Sequence, residues 1–170
     1  MIHNYDEIHV LTNSFIFIDL DETILHFPYI NQSWWEKTKK LYNLLNDTTS
    51  DDRTYQDWES IIYDYKPTSL DKKQFNKLLE RVHNTGSKIC ILTARNKRLE
   101  NITRQHLLDC EINIPDIHFS NKKGLTINYI KNLTMHNGPI IFIDDLITNI
   151  NDVQNINPEV ITYHMKHINL

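Results

Sequence analysis

Three short runs of the chain contain nothing polar: Phe15-Ile16-Phe17-Ile18, Ile89-Cys90-Ile91-Leu92 and Ile140-Ile141-Phe142-Ile143. Runs this short, apolar throughout and rich in β-branched and aromatic side chains read as strands buried on both faces. Between them lie segments whose apolar residues recur every three or four positions, so strands alternate with helices. That order calls for an α/β fold, a Rossmann-like three-layer sandwich around a central parallel sheet built from right-handed crossovers. Sites in such sheets open at the carboxyl ends of the strands. Here each run ends in polar residues: Asp19 and Asp21, Thr93 and Arg95, Asp144 and Asp145. Two carboxylates at the tip of a core strand are costly to bury without a cation or solvent. Asp19 and Asp21 therefore suggest Mg²⁺ beside a nucleophile, against the plainer alternative that Asp21 or Thr23 caps the next helix.

Composition narrows the possibilities further. With 170 residues, 40% hydrophobic and 24% charged, the chain suits one domain, 1–170, with a core of its own. A formal charge of −4 argues against a strong nucleic-acid surface. Cys90 lies within an apolar run and Cys110 stands apart, so neither supports a disulfide or metal cluster. The only glycines are Gly86, Gly124 and Gly138, which excludes glycine-rich dinucleotide and P-loops. No apolar stretch is long enough to span a membrane and the polar start is no signal peptide, so a cytoplasmic location is expected.

In order along the chain, Tyr5, Ile8 and Leu11 have helical spacing and predict a short lead-in helix. An insert after the first strand, 27–67, is expected to form a small helical cap. Its first helix, 34–45, would be capped by Ser33 and pack through Trp34, Thr38, Leu41 and Leu45; a polar loop, 46–53, and a second helix, 55–65, follow. Its aromatic residues either pack the two helices or stack on a substrate, with Trp35 as the candidate substrate contact. Further helices are expected around Phe75 to Val82, Leu99 to Leu107, Leu125 to Ile130 and Ile147 to Val153. Extended pieces are expected at 112–115 and 117–119, and a last strand at 160–163.

Asp19-Leu20-Asp21-Glu22-Thr23, Thr93, Lys123 and Asp144-Asp145 resemble the four ordered motifs of the haloacid-dehalogenase (HAD) superfamily of phosphotransferases, over 15–149. A tryptophan pair after the first motif (Trp34, Trp35), Leu92-Thr93-Ala94-Arg95, Lys123-Gly124 and Ile143-Asp144-Asp145 with Asn149 resemble a little-characterised subgroup. The run Asp21 to His26 is also similar to phosphatases acting on the RNA polymerase II tail, whose other motifs differ.

The resemblance implies a Mg²⁺-dependent phosphatase working through an aspartyl-phosphate. Asp19 would be the nucleophile and Asp21 the general acid, then base. Thr93 and Lys123 would bind the phosphoryl group. Mg²⁺ would sit on Asp19, the Asp21 carbonyl and Asp145, with Asp144 behind it, holding Lys123. A phosphomutase or phosphotransferase with the same site, or a non-catalytic phosphate-binding module, are the alternatives. The partner expected is a small phosphorylated metabolite or nucleotide. Arg95 either grips substrate or pairs with a surface acid; Asn149 either orients Asp145 or faces water; His26 either faces the cleft or, as the favoured reading, is packed or solvated. Thr93 as a helix cap and Lys123 as a solvated lysine are the bland counterparts of their phosphate-binding roles.

Overall fold

The computed structural model describes residues 1–45 and 48–167, and it sets the three apolar runs side by side. In chain order the elements are β1 (Phe15–Ile18), β2 (Leu25–His26), α1 (Gln32–Leu44), α2 (Ser50–Asp64), β3 (Thr68–Ser69) and α3 (Lys72–Asn84). Then come β4 (Lys88–Thr93), α4 (Glu100–Asp109), β5 (Ile117–Phe119), α5 (Lys123–Thr134), β6 (Ile140–Asp144), α6 (Ile147–Ile156) and β7 (Ile161–His164).

The main sheet has the order β5-β4-β1-β6-β7, with every pairing parallel. Because side chains alternate along a strand, the continuous apolar runs feed two separate cores. Ile16, Ile18, Ile91, Ile141 and Ile143 meet Phe75, Leu78 and Val82 of α3, Leu107 of α4, and Tyr5 and Ile8. Phe15, Phe17, Cys90, Leu92 and Phe142 meet Ile127 and Ile130 of α5, with Ile150 and Val153 of α6. The result is the three-layer α/β arrangement. Helix α3 starts at Asp71, whose carboxylate accepts from the Gln74 N–H, and closes before Gly86, whose φ of +63° turns the chain into β4.

A third cluster joins the segment between β1 and β3 to the body. Phe27, Ile30, Trp58 and Ile62 pack on Leu99, beside α4. At the root, β2 and β3 form a two-residue antiparallel ladder, Leu25 with Ser69 and His26 with Thr68.

Several expectations are corrected. The lead-in helix is a three-residue 3-10 turn, Tyr5–Glu7: Asn4 and Glu7 satisfy each other's backbone N–H groups, and Ile8 leaves in an extended conformation. Helix α1 is capped by Asn31, not Ser33, and buries none of its residues; Leu41 and Leu45 are exposed. Trp34, expected on the packing stripe, and Trp35, the candidate substrate contact, are both half-buried. Helix α2 begins at Ser50, inside the expected 46–53 loop, of which 46 and 47 lie outside the described residues. Its acidic first turn, Asp51 and Asp52, complements the helix dipole, and Thr54 and Trp58 continue the buried stripe begun by Ser50. In the stretch 112–115, Ile112 and Ile114 are buried without joining the sheet. Among the described residues no helix is long and apolar enough to cross a membrane.

Candidate active site

Asp19 extends the pairing of β1 by one step, its N–H donating to the Ile143 carbonyl at 2.8 Å. Beyond it the chain curls tightly: the Ile24 and Leu25 N–H groups both return to the Leu20 carbonyl, at 2.8 and 2.9 Å. Leu20, Ile24 and Leu25 are buried by this curl, which leaves Asp21 beside the cleft. No helix starts here, so neither Asp21 nor Thr23 is a helix cap. Thr23 is buried and its hydroxyl donates to Asp145 Oδ1 at 3.3 Å.

Carboxylate oxygens of Asp19, Asp144 and Asp145 lie within 4.8 Å of one another. Lys123, at the start of α5, is fully buried and donates to Asp19 Oδ1 at 2.5 Å and to the Leu92 carbonyl. Its ammonium is 3.9 Å from Asp144 Oδ2. Asp144 is also held by the Leu146 N–H at 2.8 Å and by the Asn149 amide, which donates to both carboxylate oxygens. Asn149 thus orients Asp144, not Asp145.

Burial pushes the carboxyls of all three aspartates up. For Asp19 the ammonium of Lys123 opposes that rise without cancelling it. For Asp144 the neighbouring Asp19 adds to it and the shift is large. Asp145 is pushed up to about 7 by burial and by the Asp19 charge. Among the described residues Lys123 bonds to Asp19 and lies near Asp144 but is not paired with Asp145, so the three clustered acids are short of positive charge. A hard divalent cation with oxygen preference fits this donor set, with Asp19 and Asp145 as the carboxylates that also border the open cleft.

Arg95 is the residue furthest from expectation. It is buried, and it pairs with Asp21 rather than with a surface acid: Nε reaches Oδ2 at 2.9 Å and the second terminal nitrogen reaches Oδ1 at 2.6 Å. The other terminal nitrogen meets Thr103 Oγ1 at 3.0 Å and His106 Nδ1 at 3.2 Å. The guanidinium lies 5.7 Å from the Phe27 ring centre and 5.6 Å from that of Trp58. Burial and the adjacent guanidinium push the His106 imidazole down to about 4. Neutral His106 accepts from Arg95 at Nδ1.

Thr93 ends β4 fully buried and its hydroxyl accepts the Arg95 N–H at 3.2 Å. It caps no helix, because Asn96 caps the following 3-10 turn, Lys97–Leu99. His26 is half-buried and its Nδ1 lies 3.0 Å from a Glu22 carboxylate oxygen. Above the acids opens a cleft of about 980 Å³ whose aromatic lining includes Phe27, Trp34, Trp35, Tyr55, Trp58 and Phe119. The sequence offered no sign that Thr103 and His106 serve this site; His106 reads there only as one position of an apolar helix face.

No family model matches the sequence, and no curated protein matches it. Solved structures share the fold. A HAD family enzyme from Bacteroides thetaiotaomicron aligns over 93% of this chain and 95% of its own, with a TM-score of 0.54 at 12% identity. The class C acid phosphatase from Bacillus anthracis aligns over 85% of this chain and 59% of its own, with a TM-score of 0.51 at 15% identity. A chain of the Pnkp1/Rnl/Hen1 complex aligns over 99% of this chain and 51% of its own, with a TM-score of 0.52 at 12% identity. The chain thus spans little more than half the length of the last two. The likeness is one of fold: a Rossmann-like parallel sheet flanked by helices.

Proposed function

We propose that the chain hydrolyses a small phosphomonoester through an aspartyl-phosphate on Asp19. One observation carries this: a strand-tip carboxylate with one oxygen fixed by a buried lysine, clustered with two further acids, at the floor of an open cleft. Fold likeness to an acid phosphatase supports the same class of reaction. Mg²⁺, held by Asp19, Asp145 and the Asp21 backbone carbonyl with Asp144 beside them, would neutralise the phosphoryl oxygens.

The bonds at the site support a part for each residue. Lys123 engages Asp19 Oδ1, which leaves Oδ2 to attack phosphorus as the bond to the leaving oxygen breaks. Lys123 is held by two protein acceptors, and its ammonium would supply positive charge beside a phosphoryl oxygen bound at Asp19. Thr93 accepts from Arg95 and retains its own hydroxyl proton to donate. Asp21 gives a proton to the departing alkoxide. It then takes one from the water that attacks the acyl phosphate, releasing phosphate and restoring Asp19.

We assign 27–67 as a small cap within a single HAD-like domain, its aromatic wall facing the leaving group. The test is turnover of an aryl phosphate with Mg²⁺ by wild type and by Asp19→Asn. Wild type should turn over and lose activity in excess chelator, and a folded Asp19→Asn should be inactive because an amide forms no acyl phosphate. Wild-type turnover by Asp19→Asn rules the mechanism out.

A further inference from the structure

We propose that Arg95 is a positioning residue that fixes Asp21 as the base for the second half of the reaction, the attack of water on the aspartyl-phosphate. The inference rests on the mechanism proposed above. It begins from how fully the guanidinium is committed. Both edges of its fork face acceptors of the protein: Asp21 takes two bonds in the planar, parallel geometry specific to arginine, and Thr103 and His106 take the other terminal nitrogen. Four of the five N–H donors are thereby used. A side chain so occupied is poorly placed to grip a substrate phosphate.

The clamp is also built to stay still. Arg95 is 2% exposed, and the rings of Phe27 and Trp58 lie against its guanidinium. Thr103 and His106 belong to α4, a helix of the body, and both are buried. Asp21 itself sits on a short curl after β1, with a side chain 28% exposed. The buried partner therefore sets where the more exposed one points. A carboxylate held by two charge-assisted bonds cannot rotate freely, so the directions of its remaining lone pairs are fixed, and a base for water must be aimed within hydrogen-bond reach. In the step itself, water gives a proton to Asp21 as its oxygen forms a bond to phosphorus and the bond from phosphorus to Asp19 breaks.

The experiment compares wild type, Arg95→Lys and Thr103→Val on 4-nitrophenyl phosphate with Mg²⁺, by rapid mixing and at steady state. This leaving group needs little protonation, so kcat/KM reports attack by Asp19, and kcat reports hydrolysis once that step is slow. Lysine keeps the charge but not the fork. Arg95→Lys should lower kcat about 10²-fold and lower KM in parallel, leaving kcat/KM within about threefold. It should also show a burst of nitrophenol near one per enzyme. Thr103→Val, which keeps the guanidinium and removes one of its anchors, should give a smaller change of the same kind, and it carries the test if Arg95→Lys fails to fold.

Three results overturn the proposal: a raised KM, which marks a substrate-gripping arginine; equal losses in kcat and kcat/KM with no burst, which marks a merely structural one; and unchanged kinetics. Asp21→Asn should show the same burst, and adding Arg95→Lys to it should change nothing more. Failure of the underlying mechanism looks different: Asp19→Asn then still turns over, whatever Arg95→Lys does.

Discussion

Lys123 reaches Asp19 from the first turn of a helix that lies hard against its neighbour, and Gly124→Ala perturbs that closeness. A Cβ at Gly124 would stand 2.8 Å from the Asp152 backbone oxygen and 2.8 Å from Ile156 Cδ1. Ile156 ends α6, is 37% exposed and can rotate aside. The Asp152 carbonyl is helix backbone and cannot. Ordinary carbon contacts begin near ~3.5 Å, so α5 and α6 must part by about 0.7 Å. Two bonds stretch with that movement, Gly124 N–H to Asp152 Oδ2 and Asn157 Nδ2 to the Gly124 carbonyl, each 2.8 Å long. Overpacking costs about 1–3 kcal/mol, and a backbone obstacle puts the cost at the upper end. Alanine's better helix propensity offsets up to about 1 kcal/mol. The net loss is about 2 kcal/mol, which in a chain of this size lowers Tm by about 4–8 °C. Thermal melts followed by circular dichroism measure it, with the exposed Leu125→Ala as a control expected to stay within about 0.5 kcal/mol. Because Lys123 rides on the displaced turn, turnover at a temperature where the variant is fully folded should also fall. Melting at or above wild type would refute the packing argument.

Other outcomes follow from the same geometry. The Asp145 carboxyl, pushed up to about 7, keeps its proton in the folded state where an unfolded aspartate has lost it. Its contribution to stability is therefore full below about pH 4 and lost as pH rises through 7. In chelator, denaturation at pH 5 and pH 8 should show that loss, and Asp145→Asn should shrink it. Calorimetry should find Mg²⁺ binding weakened more by Asp145→Ala than by Asp144→Ala; the reverse order would exchange their places. Trp35→Ala should alter discrimination among large phosphomonoesters while sparing acetyl phosphate, and an unchanged substrate profile counts against a leaving-group contact. Trp34→Ala, at a half-buried position, should cost about 1–2 kcal/mol in denaturant unfolding rather than the larger loss of a fully buried tryptophan.

The sheet was legible in the sequence because its information is local. Four apolar residues in a row are unusual enough to mark β1 and β6, and the polar groups that follow them mark the open end of the sheet. The corrections arise where the deciding contact is distant. Tyr5, Ile8 and Leu11 keep helical spacing, but Tyr5 is drawn into the core and its hydroxyl donates to the Thr23 carbonyl, so the chain need not complete a helix. Trp34 and Trp35 differ by one position in helix phase, yet α1 lies over a cleft that both rings border. Arg95 could not be placed from its neighbours in sequence: Asp21 is 74 residues away. Thr103 and His106 matter only once α4 is folded against the end of β4.

The proposed chemistry makes Asp19 the atom donor of a covalent intermediate, and that is open to direct observation. Protein mixed with an aryl phosphate and Mg²⁺, quenched in acid within the first turnover, digested and read by mass spectrometry should carry the mass of one HPO₃ on the peptide containing Asp19. Fragmentation should locate it on that side chain, and Asp21→Asn should raise its yield. Sustained turnover with no phosphorylated peptide at any quench time, or with the phosphoryl group on a different residue, would contradict the account.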